Sequence, residues 1–184
     1  MFVLVYGSNG WIGRQFINLL FENNIKFVIG KSRNSYHDEI EKVNPTHVVA
    51  FIGRTHGEGF STIDYLEQPG KLKENINDNL FSPLMIAEAC HNLNIHYTYM
   101  GTGCIFTRDE FNDTFTEDDK PNFFGSSYST VKGYTDQLMK NFSNVLNLRI
   151  RMPITDTQNP RNFITKITTY DKICSIPNSM SVLP

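Results

Sequence analysis

Tyr128 and Lys132 stand four residues apart in Tyr128-Ser-Thr-Val-Lys132, a spacing that puts a phenol and an ammonium on one helix face. A cation beside a phenol favours the phenolate, so this pair reads as an acid/base whose tyrosine titrates nearer to neutral pH. Thr102 follows the fourth predicted strand, where its hydroxyl is placed to hold a carbonyl oxygen. At the other end of the chain, Gly7-Ser8-Asn9-Gly10-Trp11-Ile12-Gly13 joins a predicted strand to a predicted helix. Here Gly7 allows a tight turn, Gly10 lets the backbone approach a pyrophosphate, and Gly13 lets helix and strand pack closely. The helix start then offers free N–H groups to the anion. The spacing is GxxGxxG, and Gly7, Asn9, Gly10, Trp11, Ile12 and Gly13 are the expected dinucleotide contacts.

The second strand ends Ile29-Gly30-Lys31-Ser32-Arg33, with no acid before Asp38. A carboxylate there suits the 2′-hydroxyl of NAD, whereas a basic residue suits the 2′-phosphate of NADP. Arg33, with Ser32 and Lys31 beside it, therefore favours NADPH over NADH. His37, His47, His91 and His96 show no ligand spacing, and Glu117, Asp118 and Asp119 read as a solvated loop face, so no metal site is expected. His56 is at best a substrate contact in a variable loop.

These residues need a scaffold, and the hydrophobic pattern supplies one. Strands are predicted over 2–6, 26–29, 47–52, 95–100 and 145–150. Helices are predicted over 11–22, 36–43, 72–92, 127–141 and 163–170, the third interrupted near Ser82-Pro83. Irregular loops fill 53–70 and 106–124. Strand and helix alternate, which predicts an α/β fold with a doubly wound parallel sheet, Rossmann-like. Ligands bind such sheets outside the carboxyl ends of the strands, and the residues named above fall there.

The chain has 184 residues, of which 40% are hydrophobic and 20% charged, with a net charge of −2. It can bury a core, and no basic surface points to nucleic acid. No apolar run approaches a membrane span, and the opening Met1-Phe-Val-Leu-Val-Tyr reads as a strand rather than a signal peptide. Cys90, Cys104 and Cys174 are odd in number and widely spaced, which suits a reduced, cytoplasmic protein. The division expected is a dinucleotide-binding domain over 1–150 and the start of a substrate-binding part over 151–184.

With the glycine loop, Thr102 and the Tyr128–Lys132 pair, the chain resembles the extended short-chain dehydrogenase/reductases. Further motifs narrow the resemblance: Gly101-Thr-Gly-Cys-Ile-Phe106, Phe115-Thr-Glu-Asp-Asp-Lys-Pro-Asn122, Leu148-Arg-Ile-Arg-Met-Pro-Ile154, Asn159-Pro-Arg-Asn-Phe-Ile-Thr-Lys166 and Ile176-Pro-Asn-Ser-Met180. Together they are similar to the nucleotide-rhamnose branch. The resemblance is strongest to its bifunctional 3,5-epimerase/4-reductases of UDP-4-keto-6-deoxyglucose, relatives of the dTDP-4-dehydrorhamnose reductases.

The resemblance implies inversion at C3 and C5 of a 4-keto sugar nucleotide, then NADPH-dependent reduction at C4 to UDP-L-rhamnose. It implies Tyr128 as general acid, Lys132 as its partner and ribose contact, and Thr102 as the group orienting the C4 oxygen. Cys104 and Lys166 become the epimerase candidates, Asn79 and Asn162 substrate-side residues, and Gly53 a cofactor contact. Relatives commonly read Asn-Ala-Ala-Gly where this chain has Ala50-Phe51-Ile52-Gly53, so only Gly53 matches. They also continue by a substrate lobe on the order of 100 residues, so that lobe is expected to be largely absent here. A 4-keto reductase alone and a non-catalytic NADP-binding regulatory subunit are the alternatives. A homodimer is the assembly to test.

Overall fold

The computed structural model describes residues 1–108 and 114–173. The motif at 176–180, Cys174 and residues 109–113 of the acidic loop lie outside them. Two compact units divide the chain, Met1–Arg151 and Met152–Pro184. No helix among the described residues is long and apolar enough to cross a membrane.

In the first unit the β-branched runs form β1 (Phe2–Tyr6), β2 (Lys26–Ile29), β3 (His47–Ala50), β4 (His96–Thr102) and β5 (Val145–Ile150). They make one parallel sheet in the order β2-β1-β3-β4-β5. Val3 pairs with Phe27 and His47, and Gly101 pairs with Arg149. The connections run through α1 (Trp11–Glu22), α2 (Tyr36–Val43), α3 (Leu72–Ile76), α4 (Ser82–Asn92) and α5 (Ser127–Met139). The period of two sorts the side chains between the faces. Leu4, Tyr6, Val48, Ala50, Tyr97 and Tyr99 enter the larger core with Ile40, Ile86 and Met139. Val3, Val5 and Val49 meet Leu20, Phe16 and Ile17 on the α1 side. Leu19, part of the apolar pattern of that helix, is 53% exposed instead.

Asparagine ends several helices. Asn24, Asn44 and Asn94 have φ of 53°, 48° and 53°, the left-handed conformation that Asn tolerates better than most residues. Each reverses the chain into the strand that follows. The second unit contributes α6 (Phe163–Thr169).

Several boundaries differ from the pattern: β3 stops at Ala50 instead of residue 52, and α5 at Met139 instead of residue 141. Residues 53–70 hold a 3₁₀ turn, Ile63–Glu67. β4 runs on to Thr102, so that threonine ends the strand instead of following it. The helix predicted over 72–92 contains a π turn, Asn77–Phe81, just before the expected break. Pro83 has no N–H to give the carbonyl of Asn79 four residues back. That carbonyl accepts the Thr135 hydroxyl of α5 instead, at 2.8 Å.

Candidate active site

The loop after β1 is shaped by contacts that only glycine permits. Gly7 has φ +74°, and a Cβ there would lie 2.6 Å from the Phe51 carbonyl carbon. A Cβ on Gly13 would lie 2.4 Å from the Gly7 oxygen, so α1 starts hard against β1. Gly10 is exposed, and its N–H closes the turn on the Gly7 carbonyl at 3.1 Å. No side chain caps α1, and its first turn holds no acid. Its leading N–H groups therefore point at an open surface next to Asn9, Trp11 and Ile12, which suits an anion. This cradle fits the diphosphate of a dinucleotide.

After β2 the structure reveals a carboxylate that the sequence pattern hides. Glu39, on α2, accepts the N–H groups of Lys31 and Ser32 and the hydroxyl of Tyr6, each at 2.9 Å. An acid thus underlies this loop, but its oxygens hold backbone. Arg33 stays exposed at the loop tip. Gly53, after β3, is exposed as well, and a Cβ on it would come within 3.1 Å of the Asn79 amide oxygen.

At the end of β4, Thr102 is buried and its hydroxyl accepts the Cys104 N–H at 3.1 Å, starting the 3₁₀ turn Gly103–Ile105. The carbonyl of Cys104 accepts the Ser129 hydroxyl at 2.8 Å, which ties this turn to the first turn of α5. Cys104 also packs against Tyr65, Leu66 and Tyr128 in one small apolar cluster. Thr102, Cys104 and Tyr128 thereby face one another across the β4–α5 junction.

The electrostatics of the pair differ from the sequence expectation. Burial pushes the Tyr128 phenol up to about 12, Cys104 adds to the rise, and interaction with the Thr102 hydroxyl opposes it. Lys132 does not lower it. The Lys132 ammonium instead donates to the Tyr99 hydroxyl and to the Met100 carbonyl, the latter at 3.1 Å. Burial pulls this ammonium down to about 7, with Asp136, one turn further along α5, and Cys104 opposing. At neutral pH the tyrosine is protonated, the form in which a general acid starts.

Tyr128 is held from a distance by residues outside the sequence motifs. The carboxylate of Glu67 accepts the N–H groups of Ser127 and Tyr128 at 2.8 and 3.1 Å. Ser126 caps Ser129 at 3.0 Å. Asn79 is 1% exposed, and its amide is committed within the protein. It bonds both backbone groups of Arg54 and the side chain of Asn75, which in turn donates to the Ser127 hydroxyl. The substrate contact expected of Asn79 does not fit this burial; the residue links the β3 loop to the start of α5.

The second unit holds the other two candidates. Asn162 is 2% exposed; its oxygen caps α6 at the Ile164 N–H and its amide donates to the carbonyls of Thr155 and Thr157. It positions α6 and the preceding loop instead of offering a free amide to a sugar. Lys166 is half-buried, one turn further along that helix, and its N–H bonds the Asn162 carbonyl at 3.0 Å. Among the described residues, no group of three or more His, Cys, Asp or Glu could hold a metal ion.

Comparison with known proteins follows the same lines. The model of the NAD dependent epimerase/dehydratase family matches residues 3–166. Protein L780 of Acanthamoeba polyphaga mimivirus is 57% identical over 189 residues, covering 98% of this chain and 65% of its own length. The crystal structure of the L780 UDP-rhamnose synthase from that virus superposes with a TM-score of 0.92 at 55% identity, over 99% of this chain and 67% of that one. A bifunctional dTDP-4-dehydrorhamnose 3,5-epimerase/dTDP-4-dehydrorhamnose reductase of Arabidopsis thaliana is 40% identical, covering 98% of this chain and 62% of its own length. The chain thus spans just under two-thirds of these curated relatives.

Proposed function

This chain belongs to the NAD dependent epimerase/dehydratase family, and we propose that it carries the dinucleotide-binding and acid/base part of an NADPH-dependent epimerase/reductase that makes UDP-L-rhamnose from UDP-4-keto-6-deoxyglucose. The observation that carries this reading is the grouping of Thr102, Cys104 and Tyr128 beside the buried Lys132 at the carboxyl end of β4. UDP as the carrier is supported by the similarity to the viral UDP-rhamnose synthase.

Gly7, Asn9, Gly10, Trp11, Ile12 and Gly13 hold the diphosphate, Arg33 the 2′-phosphate, and Gly53, Tyr128 and Lys132 the remainder of the cofactor. NADPH, when bound, supplies hydride to C4. Tyr128 gives its phenolic proton to the C4 oxygen, which the Thr102 hydroxyl orients. The protons at C3 and C5 are acidified by the C4 ketone; Cys104 and Lys166 are the groups that remove and return them. A thiol packed against the general acid favours this reading over a reductase alone. The free thiols of Cys90 and Cys104 support a reducing, cytoplasmic location. A homodimer is supported by Leu72, Ile76, Tyr134 and Leu138, apolar or aromatic and exposed on α3 and α5.

The experiment is incubation with UDP- and dTDP-4-keto-6-deoxyglucose plus NADPH, with product stereochemistry read by NMR. UDP-L-rhamnose is expected from the UDP sugar; a product unchanged at C3 and C5 would contradict the epimerase half. Arg33→Ala should weaken NADPH about tenfold or more while changing NADH binding little, because a charge-assisted phosphate contact is lost only with the former. Equal losses measured for both cofactors in a binding titration would remove Arg33 from the site.

A further inference from the structure

We infer that Tyr99 is a positioning residue for Lys132: its phenol oxygen and the Met100 carbonyl take two of the three ammonium N–H bonds and leave one directed at the cofactor. This rests on the proposed role of Lys132 as a cofactor contact.

Lysine has three donors and no acceptor. Lys132 is 4% exposed, so each donor left without a partner is costly. Two partners are in place. Tyr99 accepts one N–H, with the ammonium 4.5 Å from the centre of its ring. The Met100 carbonyl accepts a second at 3.1 Å. Both belong to consecutive residues of β4, so the strand fixes the direction of the third N–H. Among the described residues, the other titratable groups that act on this ammonium are Asp136 and Cys104, and Tyr128 lies one turn earlier on α5. Asp136 is engaged by Arg149 and Asn147, and Cys104 and Tyr128 pack with Tyr65 and Leu66.

Tyr97 shows that a tyrosine on this face is not partnered by default. It lies two residues earlier on the same strand, its ring 6.5 Å from that of Tyr99, and its hydroxyl finds no partner among the described residues. At 99 the hydroxyl is engaged, and the group it engages is the lysine of the acid/base pair.

Tyr99→Phe keeps the ring and deletes only the acceptor. NADP⁺ binding is titrated from pH 6 to 9 in the parent chain, in Tyr99→Phe and in Lys132→Met, with thermal melting alongside. In the parent, affinity falls as Lys132 loses its proton, and Lys132→Met removes that limb. In Tyr99→Phe the midpoint of the limb should move down by about one pH unit, because the charged amine loses an acceptor that the neutral amine needs less. Affinity on the alkaline side should fall about tenfold with it. A lowered melting temperature with an unmoved midpoint, or a midpoint that rises, overturns the inference while leaving Lys132 as a cofactor contact. If Lys132→Met binds NADP⁺ like the parent, the role of Lys132 fails and the inference fails with it. Tyr99→Met, which also lacks a strong acceptor, gives the same test should the Phe variant not fold.

Discussion

Tyr128→Phe is expected to reduce C4 ketone reduction by about 100- to 10,000-fold, the range over which a positioned general acid acts. The phenol is 6% exposed, beside the Thr102 hydroxyl, and burial keeps it protonated at neutral pH. Hydride addition at C4 leaves an alkoxide, and the buried phenol is the proton source next to it. Phe retains the packing against Tyr65 and Leu66, so the fold and the cradle after β1 should be intact. NADPH affinity should therefore change by only about threefold or less, since Tyr128 is one of many cofactor contacts and its ring is kept. NADPH consumption with the 4-keto substrate, measured beside a binding titration, separates the two quantities. A variant that turns over like the parent would remove Tyr128 as the acid.

The second large effect is on stability. Asp136 is 1% exposed and accepts a two-pronged contact from Arg149, with both distances at 2.8 Å, and an amide N–H of Asn147 at 2.7 Å. The guanidinium also reaches the carbonyls of Thr116, Glu117 and Asp119 and lies 5.1 Å from the Phe106 ring. This one ion pair ties α5 to β5 and to the loop before α5. Asp136→Ala leaves Arg149 without its carboxylate and should cost about 3–5 kcal/mol, the loss typical of breaking a buried pair from one side. For a domain of this size that lowers the melting temperature by roughly 6–20 °C. Arg149→Met added to Asp136→Ala should recover part of the loss, because the unpaired charge goes too. A single variant that melts with the parent would show that the pair contributes nothing net.

The sequence carries the order of the elements and the glycine loop because both depend on neighbours. Periodicity places β1 and α1, and the spacing of Gly7, Gly10 and Gly13 describes one turn. Thr102 and Tyr128 are legible for the same reason, each lying at the end of an element whose boundary the pattern fixes within a residue or two, whereas Cys104 stands out only through the family resemblance. What the sequence conceals is what reaches across it. Glu67 lies 60 residues before the Ser127 N–H that it holds. Tyr99 lies 33 residues before Lys132, and nothing in the β4 pattern separates it from Tyr97. Glu39 follows the Asp38 that bounds the search for an acid, and only the return of α2 against β1 brings its carboxylate under Lys31 and Ser32. The family resemblance makes Asn79 and Asn162 substrate-side residues; in the fold their amides bond backbone carbonyls. The lysine–tyrosine spacing does create a shared helix face, but the depth of that face decides where the ammonium turns.

The central claim is that the protein both epimerises and reduces, and hydrogen exchange tests it without hydride transfer. The chain is incubated with UDP-4-keto-6-deoxyglucose in D2O with NADP⁺ in place of NADPH, and deuterium at C3 and C5 is read by NMR. Deuterium should enter both carbons; Cys104→Ala and Lys166→Ala should each suppress it, whereas Tyr128→Phe should spare most of it. Absence of uptake at both carbons, in a preparation that still consumes NADPH with already epimerised UDP-4-keto-rhamnose, would contradict the account and leave a reductase alone.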